Sequence, residues 1–315
     1  MVASSITRYQ IAGNRPTEHE LEQCLASLNR QRRAFSLKVK IVTDSTASIP
    51  ADLCRALDIT VIPCTIHFGS ETFVDGVDPA AVLYARLGQP GEAPTTSTPS
   101  PGAFMEAYRK VAEGAAAVIS IHVMETKSSL ISTARMVAKM LPELPIYVVD
   151  SRTTTLGLGL LTLAAARLAD VGHAAAEIVG QLERLIPHVD VHAAIADLTQ
   201  LRRSGRVSLG QALVAGMLGI KPILYIGNSV AEVADRVRGW SRAVERMVEM
   251  ALEKAGEARV HLAVVHTNAE DEARHLLEQV RHRFNCAEVL LTDAGTALAT
   301  HAGPGAVGIV TMKLP

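Results

Sequence analysis

The chain has 315 residues, 48% of them hydrophobic and 20% charged, with 31 basic against 32 acidic side chains, a composition that excludes disorder, collagen and coiled coil. A formal net charge of -1, with five Phe, five Tyr and one Trp, offers neither the basic footprint nor the stacking platform of a nucleic-acid binder. The length lies near the limit of a single hydrophobic core, so two domains are expected.

Residues 1–37 are polar and mixed. An amphipathic stretch from Glu18 to Leu28 and the basic cluster Arg30-Gln31-Arg32-Arg33 read as an appendage whose arginines form a solvated helix end or dock a partner. An apolar strand is predicted over Val39–Thr43, ending on Asp44-Ser45-Thr46, and Pro50 opens a helix through Leu57 because proline suits a first helical turn. Strand-like runs at Thr60–Ile66, Ala116–Val123 and Ile146–Val149 then alternate with helix-like runs at Pro79–Leu87, Phe104–Glu113, Ser129–Leu141 and Leu156–Ala169. Near-continuous Val/Ile runs between amphipathic helices predict a parallel sheet covered on both faces.

After a helix over Ala174–Leu185 the pattern changes. Strands are predicted at Val189–Ala196, Ile220–Ile226, Val260–Val265, Glu288–Thr292 and Ala306–Lys313, with a long helix around Glu232–Lys254 and another over Glu270–Arg283. The expected fold class is α/β in two domains: residues 38–188 with a parallel sheet flanked by helices, and 189–315 with a mixed or antiparallel sheet and helices. The boundary falls near 186–190.

Four cysteines without CxxC spacing, and a first twenty residues lacking a basic flank followed by an apolar run, read as a reduced, cytoplasmic protein. The longest run without charged side chains, Ala294–Met312, is broken by Gly-Pro-Gly, and Thr153–Ala166 is shorter than the ~20 residues of a membrane helix. No integral membrane segment is expected.

Several clusters bear on function. Pro94-Thr95-Thr96-Ser97-Thr98-Pro99-Ser100-Pro101-Gly102 sets hydroxyls on a proline-stiffened loop ahead of a helix, suited to an anion such as a carboxylate or simply to capping. Ser128-Ser129 opens the helix after a strand, where ligands of doubly wound sheets gather, and reads equally as a cap. Neither serine lies in a Gly-x-Ser-x-Gly elbow. His301-Ala302-Gly303-Pro304-Gly305 is a histidine ahead of a glycine turn, structural or recruited, without the Gly-Lys-Ser/Thr of a phosphate loop. Leu201-Arg202-Arg203-Ser204-Gly205-Arg206-Val207-Ser208 is a basic turn, suited to a phosphorylated ligand, an acidic partner or solvent alone. His188-Val189-Asp190-Val191-His192 lacks a further ligand nearby, so no metal is expected. Gly157-Leu158-Gly159 lacks a third glycine, so no dinucleotide cofactor is expected either.

Six motifs in order, Thr43-Asp44-Ser45, the run from Thr96 to Gly102, Val149-Asp150-Ser151, the run from Leu201 to Ser208, Ile220-Lys221-Pro222-Ile223-Leu224 and the run from His301 to Gly305, resemble the DegV family over residues 39–315. The resemblance implies a two-domain protein that binds a long-chain fatty acid and presents it to a fatty acid kinase of the dihydroxyacetone-kinase-like type. It places the acyl tail in the first domain and the carboxylate at the domain interface. By that resemblance Thr96, Ser128 and the backbone N–H of Ser129 hold the carboxylate, His301 sits beside it, and Arg206 engages the kinase. It also implies a monomer, no catalytic residues and no cofactor beyond the bound lipid. Two positions depart from the family pattern. The family commonly has Gln where Thr98 stands, and Ser-Gly-Thr-Tyr where this chain reads Ser128-Ser129-Leu130-Ile131. A side chain at Ser129 either crowds the carboxylate or adds a hydroxyl ligand to it.

Burying about 16 methylenes at ~0.8 kcal/mol each gives roughly 13 kcal/mol before losses of freedom. Neutral donors then suffice for the head group, since hydrogen bonds to a charged acceptor contribute about 1.5 to 3 kcal/mol each. A protonated His301 would assist, making affinity vary between about pH 5 and 8. The rival readings are a serine acyltransferase or esterase using Ser128 with His301 as base, and an interaction or regulatory protein for which lipid is structural filler.

Overall fold

The computed structural model describes residues 38–87, 89, 93–207 and 219–314. The appendage, its arginine cluster and Ser208 lie outside the described residues.

The chain begins with β1 (Lys38–Asp44), a tight turn at Ser45–Ala47 and α1 (Ala51–Ala56), which follows Pro50. β2 (Ile59–Ile62) pairs parallel with β1. The apolar run expected to continue to Ile66 breaks at Pro63, which has no N–H for a ladder, and the chain leaves for another sheet. That sheet is antiparallel and three-stranded, in the order β4 (Glu71–Val74), β3 (Thr65–Phe68), β5 (Thr95–Ser97), with α2 (Ala80–Leu87) between β4 and β5 in sequence. Its outer strands are too short and polar to stand out in the sequence.

α3 (Pro101–Ala112) is capped by Ser100, whose hydroxyl accepts from Ala103 N. β6 (Ala115–His122), α4 (Leu130–Lys139) and β7 (Ile146–Asp150) complete a four-stranded sheet in the order β2-β1-β6-β7. α5 (Thr155–Asp170) is apolar nearly all round, which requires a neighbour on every side. It packs against β6 of this sheet and against β8, β11 and β13 of the next, so one continuous core serves both. The fit is close: a Cβ at Gly159 would lie 2.4 Å from Ala47 O, and one at Gly157 2.6 Å from Thr153 Oγ1. This helix–turn contact is what Gly157-Leu158-Gly159 provides.

After α6 (Ala175–Leu185), a mixed six-stranded sheet runs β10-β9-β8-β13-β11-β12, with β11–β12 parallel and the other pairs antiparallel. Its strands are β8 (Val189–Ala194), β9 (Ile220–Gly227), β10 (Val230–Arg238), β11 (Arg259–His266), β12 (Asn285–Asp293) and β13 (Val307–Lys313). One face meets α5; the other packs on α8 (Trp240–Ala255) and α9 (Glu270–Val280) through a second core. Two short helices, α7 (Leu198–Ser204) and α10 (Thr296–Ala302), pack on each other.

The long helix expected around Glu232–Lys254 starts only at Trp240. Residues 230–238 form a strand because Asn228 and Ser229, both with positive φ (49° and 65°), make a two-residue hairpin that returns β10 on β9. The half-buried residues alternate at Ala231, Val233, Asp235 and Val237, a period of two obscured by the mixed charges.

Candidate functional site

A cavity of about 470 Å³ opens where the carboxyl ends of β1, β6 and β7 face the six-stranded sheet. Hydroxyls in its lining include Thr46, Thr96, Thr98, Ser128, Ser129 and Thr154, with Thr267 from the second half. Its apolar side comes mainly from the second half of the chain, with Val191, Ile195, Leu201, Leu224, Ile226 and Val265 among the walls. Both halves also contribute the other kind of side chain, Val123, Met124 and Leu130 from the first and His266, Thr267 and His301 from the second.

The structure brings Thr96, Ser128, Ser129, His301 and Arg206 to this one cavity. Thr96 sits on β5, in register with Ile66. Its Oγ1 lies 2.9 Å from Nε2 of His301, which stands in the last turn of α10 rather than in the loop before the glycines. Ser128 Oγ accepts the N–H of Leu130 at 3.3 Å, so this serine serves the helix start as well as the cavity. The two departures from the family pattern meet across the rim, with Thr98 Oγ1 and Ser129 Oγ 3.4 Å apart.

Burial, and secondarily the charge of Arg206, pushes His301 down to about 4, so the ring is neutral near pH 7 and contributes a hydrogen bond rather than a counter-charge. This corrects the expectation of a protonated His301. Its Nδ1 is buried without a partner. Arg206 Nη1 donates to Ser204 O at 3.0 Å. It was expected to face a partner; the structure places it in the cavity lining too.

The glycines after His301 shape a turn rather than approach a ligand. Gly303 and Gly305 have φ of 79° and 84°, and Thr267 closes the turn, donating its hydroxyl to Gly303 O at 2.6 Å and accepting Ala306 N at 3.0 Å. α10 itself is held from a distance: Asp75 Oδ1 accepts from Thr296 N, Thr296 Oγ1 and Ala297 N.

Sequence reasoning missed Thr46, Thr154 and Lys127, all of which line the cavity. Thr154 Oγ1 is buried with no partner, and Thr155 beside it has φ of 47°, strained for a β-branched residue. The usable signal was their position just past strands of a parallel sheet, where ligands collect.

The nucleophile and base of the acyltransferase reading are not assembled. His301 Nε2 is bonded to Thr96, not Ser128, and no carboxylate orients Nδ1. A triad-like chain does exist elsewhere. Asp44 Oδ2 accepts His122 Nδ1–H at 3.0 Å, His122 Nε2 lies 2.7 Å from Ser120 Oγ, and Tyr108 OH donates to that same oxygen at 2.9 Å. All three triad side chains are wholly buried and none lines the cavity. The arrangement instead anchors the turn after β1, because Asp44 also accepts Thr46 N and Val123 N.

His192 and Asp190 face α8, where Asp190 Oδ1 accepts Tyr225 OH at 2.8 Å. Among the described residues no group of His, Cys, Asp and Glu is placed to hold a metal ion, and no helix is long and apolar enough to cross a membrane.

Comparison with known proteins bears on the same cavity. The family model described as "Uncharacterised protein, DegV family" matches residues 38–314. A DegV domain-containing protein of Streptomyces coelicolor is 34% identical over 278 residues, covering 88% of this chain and 99% of the relative. A fatty-acid-binding DegV family protein of Thermus thermophilus superposes with a TM-score of 0.82 at 29% identity, over 88% of this chain and all of that one. The fatty-acid-binding DegV of Bacillus subtilis superposes at 0.80 with 31% identity, over 89% of this chain and 100% of that one. With the family model spanning nearly all the described residues, the chain belongs to the DegV family.

Proposed function

We propose that this protein binds a long-chain fatty acid in the cavity and presents its carboxylate to a kinase partner for acyl phosphate formation, with no chemistry of its own. The observation that carries the reading is a cavity lined by hydroxyl side chains together with many aliphatic ones. Thr96, Ser128 and the Ser129 N–H are the proposed carboxylate ligands, with neutral His301 orienting the Thr96 hydroxyl. Because most of the aliphatic lining falls within residues 191–308, with Val123, Met124 and Leu130 added from the first half, the tail is assigned mainly to the side of the six-stranded sheet, and the head group to the edge of the four-stranded one. Two relatives of the same fold are fatty-acid-binding proteins, which supports the ligand class.

Mass spectrometry of an organic extract of the purified protein tests the ligand, and a stoichiometric fatty acid is expected. Incubation of the loaded protein with a dihydroxyacetone-kinase-like fatty acid kinase and ATP tests presentation. Acyl phosphate should form; its absence would leave lipid as structural filler.

A further inference from the structure

We infer that Lys127 is a direct electrostatic ligand of the head group, and that it makes the site select an ionised acid over a neutral lipid of the same length. The inference rests on the fatty-acid reading and adds to it a residue and a specificity.

Lys127 closes the turn that follows β6, its N–H bonding Met124 O at 3.2 Å, and it lines the cavity beside Ser128 and Ser129. The turn is fixed from the opposite side, where Thr126 Oγ1 donates to Ser229 O at 3.0 Å in the β9–β10 hairpin. The position of Lys127 is therefore set by both halves of the fold. Its ammonium has no hydrogen bond or ion pair among the described residues. The nearest acid in sequence is already committed, since Glu125 takes Arg135 Nη1 through both oxygens at 2.8 and 2.9 Å.

The rest of the rim explains why this charge matters. Thr96, Thr98, Ser128 and Ser129 are neutral, and His301 carries no charge near neutral pH. A cradle of hydroxyls also receives an alcohol, because each hydroxyl can donate or accept. A cation shifts that balance, since it binds an ionised head group more strongly than a neutral oxygen. Arg206 is the other cation in the lining, but its guanidinium is partly engaged by Ser204 O, leaving Lys127 as the one whose donors are all available.

Titration of the delipidated protein with dodecanoic acid and with dodecanol tests the assignment in wild type, Lys127→Gln and Lys127→Arg. Lys127→Gln should weaken the acid roughly five- to tenfold and the alcohol far less, while Lys127→Arg keeps the preference. Added salt should weaken the acid in wild type more than in Lys127→Gln. Equal acid binding by wild type and Lys127→Gln would overturn the inference, as would a parallel loss of both ligands. Wild type that took up neither would overturn the fatty-acid reading itself, and the inference with it.

Discussion

Asp75 Oδ1 accepts the backbone N–H of Thr296 at 3.0 Å and the Thr296 hydroxyl at 2.7 Å, from 221 residues away in sequence. With Ala297 N at 3.1 Å as a third donor, one buried carboxylate caps the helix that carries His301. The three-stranded sheet and α10 are thereby fixed to each other on either side of the Thr96–His301 bond.

Asp75→Ala leaves those donors buried and unpaired, so it should destabilise the protein by about 2–4 kcal/mol. Urea unfolding checks this: the midpoint should fall with the slope unchanged. Asp75→Asn, which keeps an acceptor oxygen, should lose less.

Burial lowers both His192 and His301 to about 4. In the unfolded chain each ring titrates near its ordinary value of about 6.5, so on acidification the unfolded state takes up protons first. Stability present in full above about pH 6.5 should therefore decline as pH falls toward 4, by about 3 kcal/mol per ring. Melts between pH 7.5 and 4 are expected to show the slope, and His301→Gln and His192→Gln should each reduce it. Since His301 stays neutral across it, fatty acid affinity should show no inflection from this ring between about pH 5.5 and 8.

Gly159→Ala forces a methyl against the carbonyl of Ala47. Backbone faces backbone there, so no side chain can swing away, and a loss of about 3 kcal/mol or more is expected. Thermal melts check it; Gly180→Ala, where the nearest atom to a new Cβ is 3.9 Å away on a flexible arginine, is the control.

Ala297 is buried on the cavity side of α10. Ala297→Leu would fill part of the cavity, and the acids extracted from the variant should shift toward shorter chains, read by mass spectrometry against wild type. An unchanged acyl profile would place the tail elsewhere.

Which parts of this were legible in the sequence follows from how local their causes are. The apolar runs of β1 and β6 declare a buried parallel sheet, because burial on both faces leaves no polar alternation, while β7 at the edge buries only Val149. β10 was hidden because its two faces differ little and its turn uses Asn228-Ser229 rather than a glycine pair. That Thr96, Ser128 and His301 share a wall could be anticipated only from the order of several motifs, since contacts spanning 205 residues leave no local trace. Lys127 had no such trace either: its role depends on Glu125 being taken by Arg135, a pairing set by the packing of α4.

α5 belongs to both halves at once, touching β6 on one side and β8, β11 and β13 on the other. A chimaera that joined residues before α5 from one family member to residues after it from another would therefore match the helix to only one of its two neighbours. Productive exchange between homologues should instead carry the β3–β4–β5 module together with what it meets, through the hydrogen bonds of Asp75, Tyr84 and Thr96 and through Ile66 and Leu83 in the shared core. Transplanted as a cassette, that module would alter the Thr96–Thr98 edge of the cavity and leave the lining from β8, β9 and β11 as inherited.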